Sequence, residues 1–266
     1  MKTQRHPLEE ILSKRIAIID GAMGTTIRTY GMTEADIRGD RFKGATKDLL
    51  NNGDMFSLTQ PKMIGDIHRR FLEAGADIIE TNTFGATSIT QSEFFVDDPR
   101  EHGGRKDPEF YQRVIDNKML QDLAREINET SAQQCREWAD RVANETGRPR
   151  FVAGAIGPLT VSLSNSPDAD DPGFRVVTFD QVKQAYIEQV RALISGGRPC
   201  VRAALYMAAL NAARSNAGFR AQYQDMRMVG KPAKVAIIAI ARKLLLALSS
   251  MVRENRTWNP NQPTNP

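Results

Sequence analysis

The stretch EAGADIIETNTFGAT, residues 73–87, decides which fold the sequence predicts. Its centre, Ala76-Asp77-Ile78-Ile79, is predicted to form a short buried strand. Polar side chains follow immediately at Glu80, Thr81 and Asn82. A short apolar strand that ends in polar groups, inside an alternation of strands and helices, is typical of a parallel α/β sheet.

Strands of the same kind are predicted on both sides of this stretch. RIAIID, residues 15–20, is β-branched and stops at a Gly-Ala-Met-Gly loop, and a third strand covers residues 150–155. Residues 15–20 are predicted to form a buried strand. We expect all three strands to be parallel, because each connection between them is long enough to contain a helix.

Helices are predicted between these strands. Thr59 is expected to cap a helix whose first turn contains Pro61 and whose apolar stripe ends at Gly75. Residues 109–146 are predicted to form a long amphipathic helical region, and residues 180–194 a helix after the third strand. The carboxyl ends of parallel strands share one edge of the sheet, so a functional site is expected there.

Charge divides the chain near Gly197. Residues 1–197 hold 25 Lys and Arg against 30 Asp and Glu, a net charge of −5, whereas residues 198–266 hold 11 against 2, a net charge of +9. The two parts are therefore expected to have different partners. No uninterrupted apolar run reaches a membrane-spanning length and no signal-peptide pattern opens the sequence, which predicts a cytoplasmic protein without a membrane role.

Six motifs in the first part resemble those of homocysteine methyltransferase domains, and the N-terminal module of cobalamin-dependent methionine synthases is similar over about residues 8–197. They occur in the same order as in that family, and several ordered matches are more specific than any one of them. The motifs are IIDGAMGT (18–25), DIRGDRF (36–42), LTQP (58–61), EAGADIIETNTFGAT (73–87), RFVAGAIGPLT (150–160) and SPDADDPGFRVVTFD (166–180).

This resemblance implies a fold, a substrate and two cofactors. The fold would be α/β, the first three βα units of a (βα)8 TIM-type barrel, incomplete and followed by a small α-helical segment. In that family, homocysteine binds at the carboxyl ends of the strands, zinc held by three cysteines binds its thiolate, and methylcobalamin supplies the methyl group. The residues that the resemblance implies for substrate binding are Asp20, Gly21, Ala22, Met23, Thr81 and Asn82.

The chain departs from that family after Gly197. Residues 198–202, RPCVR, show no fourth strand, and the sequence has two cysteines, Cys135 and Cys200, neither of them at a predicted strand end. We therefore expect neither zinc nor cobalamin to bind this chain, no metal site, and no methyl transfer. Three strands leave two open sheet edges, which predicts aggregation or association through them.

The second part, residues 196–258, resembles the C-terminal end of insertion-sequence transposases of the DEDD/serine type. Helices are predicted at residues 201–213, 219–228 and 233–252, and a disordered tail at 259–266. The catalytic residues of that family lie upstream of the retained stretch, so no transposition chemistry is implied. Its positive charge would still permit a weak contact with nucleic acid.

The sequence thus predicts a truncated methyltransferase fragment at 1–197, a helical transposase fragment at 198–258 and a tail at 259–266. Three interpretations of function remain open. The chain is a homocysteine S-methyltransferase domain that has lost activity, a nucleic-acid-binding remnant of a transposase, or a nonfunctional chimeric reading frame.

Overall fold

The computed structural model of this chain describes residues 7–197 and 209–254, with side chains up to residue 244. The chain divides into two compact units, residues 1–197 and 198–266. Residues 201–208 of the first predicted C-terminal helix, and the predicted tail at 259–266, lie outside the described residues. The described part is mixed α/β, mostly helical, with a small parallel sheet.

Two strands form the sheet of the first unit. Strand β1 covers Ile78–Glu80 and β2 covers Phe151–Ala153, and they run parallel with Ile79 opposite Val152. The predicted parallel pairing is confirmed, although both strands are shorter than the predicted ranges. A residue of the predicted first strand, Ile19, forms a single parallel bridge with Ile78.

The predicted first strand is wrong in two respects. Residues 15–20 contribute only that bridge rather than a full strand, and they are not buried: Ile16 is 85% exposed and Ile18 is 57% exposed. The segment bridges to β1 through Ile19, and the side chain of Ile19 is itself 50% exposed. An apolar pattern predicts burial only when there is something to pack against.

Nine helices surround this sheet in the described part of the first unit. Two short 3₁₀ turns, Gly53–Met55 and Pro99–His102, lie between them. The helices are α1 (Pro7–Leu12), α2 (Met23–Thr29), α3 (Glu34–Arg38), α4 (Phe56–Thr59), α5 (Pro61–Glu73), α6 (Ser88–Phe95), α7 (Pro108–Asp116), α8 (Lys118–Thr146) and α9 (Phe179–Gly196).

The structure corrects two helix predictions. Thr59 does not cap α5: it is the last residue of α4, and its hydroxyl donates to the Met55 carbonyl at 3.3 Å. The predicted helical region 109–146 is interrupted at Asn117, which has extended backbone and whose side-chain oxygen accepts from the N–H of Met119 at 3.0 Å. An asparagine inside an amphipathic pattern thus starts a new helix, as its preference for N-cap positions allows.

The core of this unit lies where α5 and α8 meet the sheet and the neighbouring helices. The apolar stripe predicted for α5 is buried at Met63, Ile64, Ile67 and Leu72. Helix α8 packs against β1 through Cys135, which is fully buried beside Ile79. This packing fixes the sheet, and therefore the carboxyl ends of its strands.

The second unit contains two further helices, α10 (Ala217–Met228) and α11 (Ala233–Glu254), after a helical segment at residues 209–215. Asn216 caps α10 by accepting from the Phe219 N–H at 3.1 Å. Phe219, Ile237 and Ile240 are the centre of its apolar core. No helix in the described residues is both long enough and apolar enough to cross a membrane.

Candidate functional site

The carboxyl ends of the three extended segments meet at one edge of the sheet. The Asp20 N–H donates to the Ile78 carbonyl at 2.9 Å, and the Thr81 N–H donates to the Ala153 carbonyl at 3.0 Å. The Asp20 carboxylate accepts from the Glu80 N–H at 2.9 Å. The structure therefore brings two of the sequence-predicted site residues, Asp20 and Thr81, to the same edge.

Asp20 is the predicted site residue with the most distinctive electrostatics. Its pKa is raised to about 6: burial is the largest cause, the hydrogen bond from the Glu80 N–H opposes it, and the Glu80 carboxylate adds a smaller upward contribution. The side chain is only half-buried. A carboxylate that is partly desolvated, with one oxygen held by the backbone, is suited to receive a cationic group.

The loop after Asp20 has an unusual backbone. Ala22 has φ 55° and ψ 34°, and it is the only non-glycine residue with positive φ in the described part of the chain. A left-handed alanine costs of order 1 kcal/mol and is typical of functional loops. The N–H groups of Gly21 and Ala22 make no hydrogen bond to described residues. The predicted Gly-rich loop thus has backbone donors that a ligand could use.

Met23, the third residue of the predicted Gly-Ala-Met-Gly loop, lies against the core. It is the first residue of α2 and packs against the apolar cluster that contains Ile27 and Met55. Its side chain is partly buried there, and its role in substrate binding stays a prediction.

Thr81 and Asn82 are buried and already hydrogen-bonded. The Thr81 hydroxyl pairs with that of Thr83 at 2.7 Å and accepts from the Ala155 N–H at 2.9 Å. The Asn82 amide donates to the Gly53 carbonyl at 2.9 Å, and its backbone N–H donates to Ser131 at 2.8 Å. These side chains hold the loops in position at this edge rather than presenting free polar groups.

The sequence analysis missed Asp54. This side chain is buried, and its Oδ2 accepts from the Gly85 N–H at 2.9 Å, so it clamps the loop that follows β1. Desolvation raises its pKa to about 7. Its position after Asn52-Gly53 looks like an ordinary surface turn in the sequence, so no local signal distinguished it.

Comparison with known proteins identifies the family. A model of the homocysteine S-methyltransferase family matches residues 17–233. The chain belongs to the homocysteine S-methyltransferase family. The predicted homocysteine methyltransferase family is thereby confirmed for the motifs of the first part, and the match extends past Gly197 into the second unit.

Two solved structures of this family are similar to the chain. The metallated form of the homocysteine methyltransferase MmuM from Escherichia coli has 18% sequence identity and a TM-score of 0.47, over 72% of this chain and 55% of that one. The oxidized form of the same protein has 18% identity and a TM-score of 0.46, over 73% and 54%. The chain spans about half the length of these structures.

The residues present do not fit the three-cysteine zinc site that the resemblance implies for this family. Among the described side chains, those of residues 7–197 and 209–244, no three from His, Cys, Asp or Glu form a group that could hold a metal ion. Cys135 is buried in the core, burial raises its pKa, and its thiol donates to the Ile79 carbonyl at 3.6 Å. Cys200 lies outside the described residues. Cys135 is thus a neutral packing residue.

His68 belongs to this unit's helical core and lies outside the candidate site. It lies on α5 and is fully buried, and neither ring nitrogen has a hydrogen-bond partner among the described residues. Burial lowers its pKa to about 4, so the ring is neutral at physiological pH. The histidine is a packing residue of the core.

Proposed function

We propose that this chain retains the amino-acid-binding part of a homocysteine S-methyltransferase site and lacks the methyl-transfer step. In this proposal, residues 1–197 are the first three βα units of a (βα)8 barrel. The residues that bind homocysteine are Asp20, Gly21, Ala22, Met23, Thr81 and Asn82, with Met23 acting through its backbone. The observation that carries the proposal is the half-buried Asp20 carboxylate at the shared edge of the strands.

The chemistry of an amino acid suits this edge. The α-ammonium group of homocysteine would pair with Asp20, and its carboxylate would accept from the N–H groups of Gly21 and Ala22, which have no partner among the described residues. Thr81 and Asn82 would act through the loop that they fix, since their polar atoms are already engaged. Asp54 would hold the same loop from the other side.

Methyl transfer needs homocysteine as a thiolate, and zinc bound by three cysteine thiolates supplies that activation in this family. The chain has two cysteines, and Cys135 is buried with a raised pKa. We therefore propose that the chain on its own binds neither zinc nor cobalamin at this edge and has no methyltransferase activity.

Homocysteine binding should depend on the ionisation of Asp20. The pKa of Asp20 in the free protein is raised to about 6, so its carboxylate is charged above that pH and neutral below it. We expect the homocysteine affinity to fall about ten-fold between pH 7.5 and pH 5, because roughly a tenth of the carboxylate remains ionised at pH 5. Calorimetric titration at both pH values measures this change.

The variant Asp20→Asn tests the role of the Asp20 charge, because asparagine has nearly the same shape as aspartate but carries no charge. It should bind homocysteine at least ten-fold more weakly at pH 7.5 and show no change with pH, whereas Asp40→Asn, on the surface beside Lys43, should behave like the parent chain. Equal binding by the parent chain and Asp20→Asn would contradict the proposed role of Asp20.

A second candidate function concerns the basic second unit. Its described side chains include seven exposed cations and one exposed carboxylate, that of Asp225. We propose, as the alternative, that this unit is the transposase remnant of a chimeric chain and contacts phosphate groups. The cations are Arg214, Arg220, Arg227, Lys231, Lys234, Arg242 and Lys243.

The salt dependence of DNA binding tests whether the second unit contacts phosphate groups. Fluorescence anisotropy with a labelled 20-nucleotide DNA should show binding that weakens at least ten-fold between 50 and 200 mM salt, because released counterions set the slope. The double variant Arg242→Gln/Lys243→Gln should reduce both the affinity and the slope. Absence of DNA binding at 50 mM salt, together with absence of homocysteine binding, would instead support a nonfunctional chimeric reading frame.

A further inference from the structure

One backbone edge of the segment at residues 15–20 is bonded to β1 and to the residue before it. The Ile18 carbonyl accepts from the Asp77 N–H at 2.8 Å and from the Ile78 N–H at 3.1 Å, and the Asp20 N–H donates to the Ile78 carbonyl at 2.9 Å. The Ile18 N–H also faces this side, where it donates to the Asp77 carboxylate at 2.9 Å. The alternate residues Ile18 and Asp20 therefore hold the segment beside the sheet.

The other edge of this segment is unpaired in the described part of the chain. Neighbouring residues of an extended chain direct their N–H and C=O groups to opposite sides, so those of Ala17 and Ile19 point away from β1. Neither residue makes a backbone hydrogen bond to any described residue. Two donors and two acceptors are thus available to a further strand.

The side chains along this edge are apolar and exposed. Ile16, Ile18 and Ile19 are each at least half exposed. No charged residue or proline interrupts residues 16–19, IAII, although the edge strands of natural proteins commonly carry such residues to prevent pairing. An uncharged, unpaired edge with exposed isoleucines is typical of a strand that pairs with another chain.

The charges at the two ends of the segment favour one direction of pairing. Arg15 is at one end and Asp20 at the other. A parallel second copy would place Arg15 beside Arg15 and Asp20 beside Asp20, whereas an antiparallel one brings the Arg15 end of each copy to the Asp20 end of the other. Two identical edges related by a two-fold axis are antiparallel, so the charge pattern fits a second copy of this chain.

We propose that two copies of this chain associate through this edge as an antiparallel pair. The N–H and C=O groups of Ala17 bond to the C=O and N–H groups of Ile19 in the second copy, and a two-fold axis at Ile18 repeats these bonds. This register is the one in which the outward-facing groups of Ala17 and Ile19 satisfy one another. The two Ile18 residues then meet across the axis as a non-hydrogen-bonded pair, with about 4.5 Å between their Cα atoms.

Sedimentation of the full chain over a range of concentrations tests whether the pair forms. We expect a reversible monomer–dimer equilibrium with a dissociation constant on the order of 10 to 100 μM, because so short an edge buries less area than a standard interface. A chain that stays monomeric up to about 500 μM would overturn the proposal. Association that continues past the dimer would overturn it as well.

The variant Ile18→Lys tests the position of the contact. It places two ammonium groups opposite each other across the axis, so it should weaken dimerisation at least five-fold while the circular dichroism spectrum stays that of the parent chain. Leu12→Lys is the matched control: Leu12 is exposed to the same extent, 57%, but lies on α1 outside the edge, and we expect it to dimerise like the parent chain. Equal dimerisation by Ile18→Lys and the parent chain would refute the proposed edge, and so would loss of the dimer in Leu12→Lys.

Disulfide formation tests the register independently. The background variant Cys200→Ser leaves the buried Cys135 as the only native thiol. In this background Ile18→Cys should form a disulfide-linked dimer on mild oxidation, because Cα atoms about 4.5 Å apart permit that bond. Ile16→Cys is the control and should stay unlinked, since the two copies of residue 16 are four residues, about 13 Å, apart along the strands. Cross-linking of Ile16→Cys, or of neither variant, would overturn the antiparallel pairing.

Discussion

Gly196→Ala should lower the free energy of unfolding by about 3 kcal/mol. Gly196 is the last residue of α9, where alanine would otherwise be favoured over glycine by about 1 kcal/mol. However, a Cβ atom at this position would lie 2.3 Å from the Glu129 carbonyl oxygen of α8. The neighbouring atom belongs to the backbone of a 29-residue helix, so it cannot move away as a flexible side chain would.

Chemical denaturation of the purified chain, followed by circular dichroism, measures this loss. Gly24→Ala is the matched control: Gly24 is also helical, and a Cβ added there meets nothing within 4 Å. We expect Gly24→Ala to unfold at the same denaturant concentration as the parent chain or slightly above it. If Gly196→Ala were as stable as Gly24→Ala, the close contact of α8 with α9 would be wrong.

Asp77→Ala should destabilise the chain by about 3 kcal/mol and release the segment at residues 15–20 from the sheet. The Asp77 carboxylate, 2% exposed, accepts from both terminal nitrogens of Arg15 at 2.6 Å and from the Ile18 N–H at 2.9 Å. It also lies 3.8 Å from the buried Arg150 guanidinium. Removing the carboxylate leaves Arg150 without a counter-charge.

The pH dependence of stability has a defined sign at this site. The hydrogen bond from Arg15 lowers the pKa of Asp77 to about 2, below the value of about 4 in an unfolded chain. The stabilising contribution of Asp77 is therefore complete above about pH 4 and disappears as the pH falls towards 2. Denaturant titrations at pH 5 and pH 2.5 measure this loss. Between these pH values the free energy of unfolding should fall further in the parent chain than in Asp77→Ala.

Asp40→Ala is the control for the general effect of removing a carboxylate. Its side chain is 97% exposed and pairs only with Lys43, so we expect unchanged stability. Hydrogen exchange adds a local readout, since the Asp20 N–H bonded to Ile78 should lose protection in Asp77→Ala. Full protection in that variant would contradict the role of Asp77 in holding this segment.

The sequence predicted the parallel sheet because strand-forming runs were separated by strong helical patterns. The stripe of α5 is buried as its spacing indicated, and Ile79 and Val152 pair as neighbours in the sheet. Residues 15–20 show the limit of such patterns. Their β-branched residues fit a buried strand, but burial depends on neighbouring layers that a local pattern does not contain.

The candidate site was predictable only in part. Asp20 ends the predicted first strand and Gly21 and Ala22 follow it, so their place at the end of an extended segment is visible in the sequence. Whether a polar side chain is free or already bonded is decided by distant residues: Asn82 donates to Gly53, and Asp54 accepts from Gly85. Such contacts, made across about 30 residues, have no local signal.

The most direct test of the account is homocysteine binding with and without zinc, measured by calorimetry on a monodisperse sample together with metal analysis. The account predicts no stoichiometric zinc, and homocysteine binding that is unchanged by a chelator and weakened in Asp20→Asn. One bound zinc per chain, with homocysteine binding that is lost when the metal is removed, would contradict it. In that case the chain would hold an active thiolate site that its two cysteines alone do not explain.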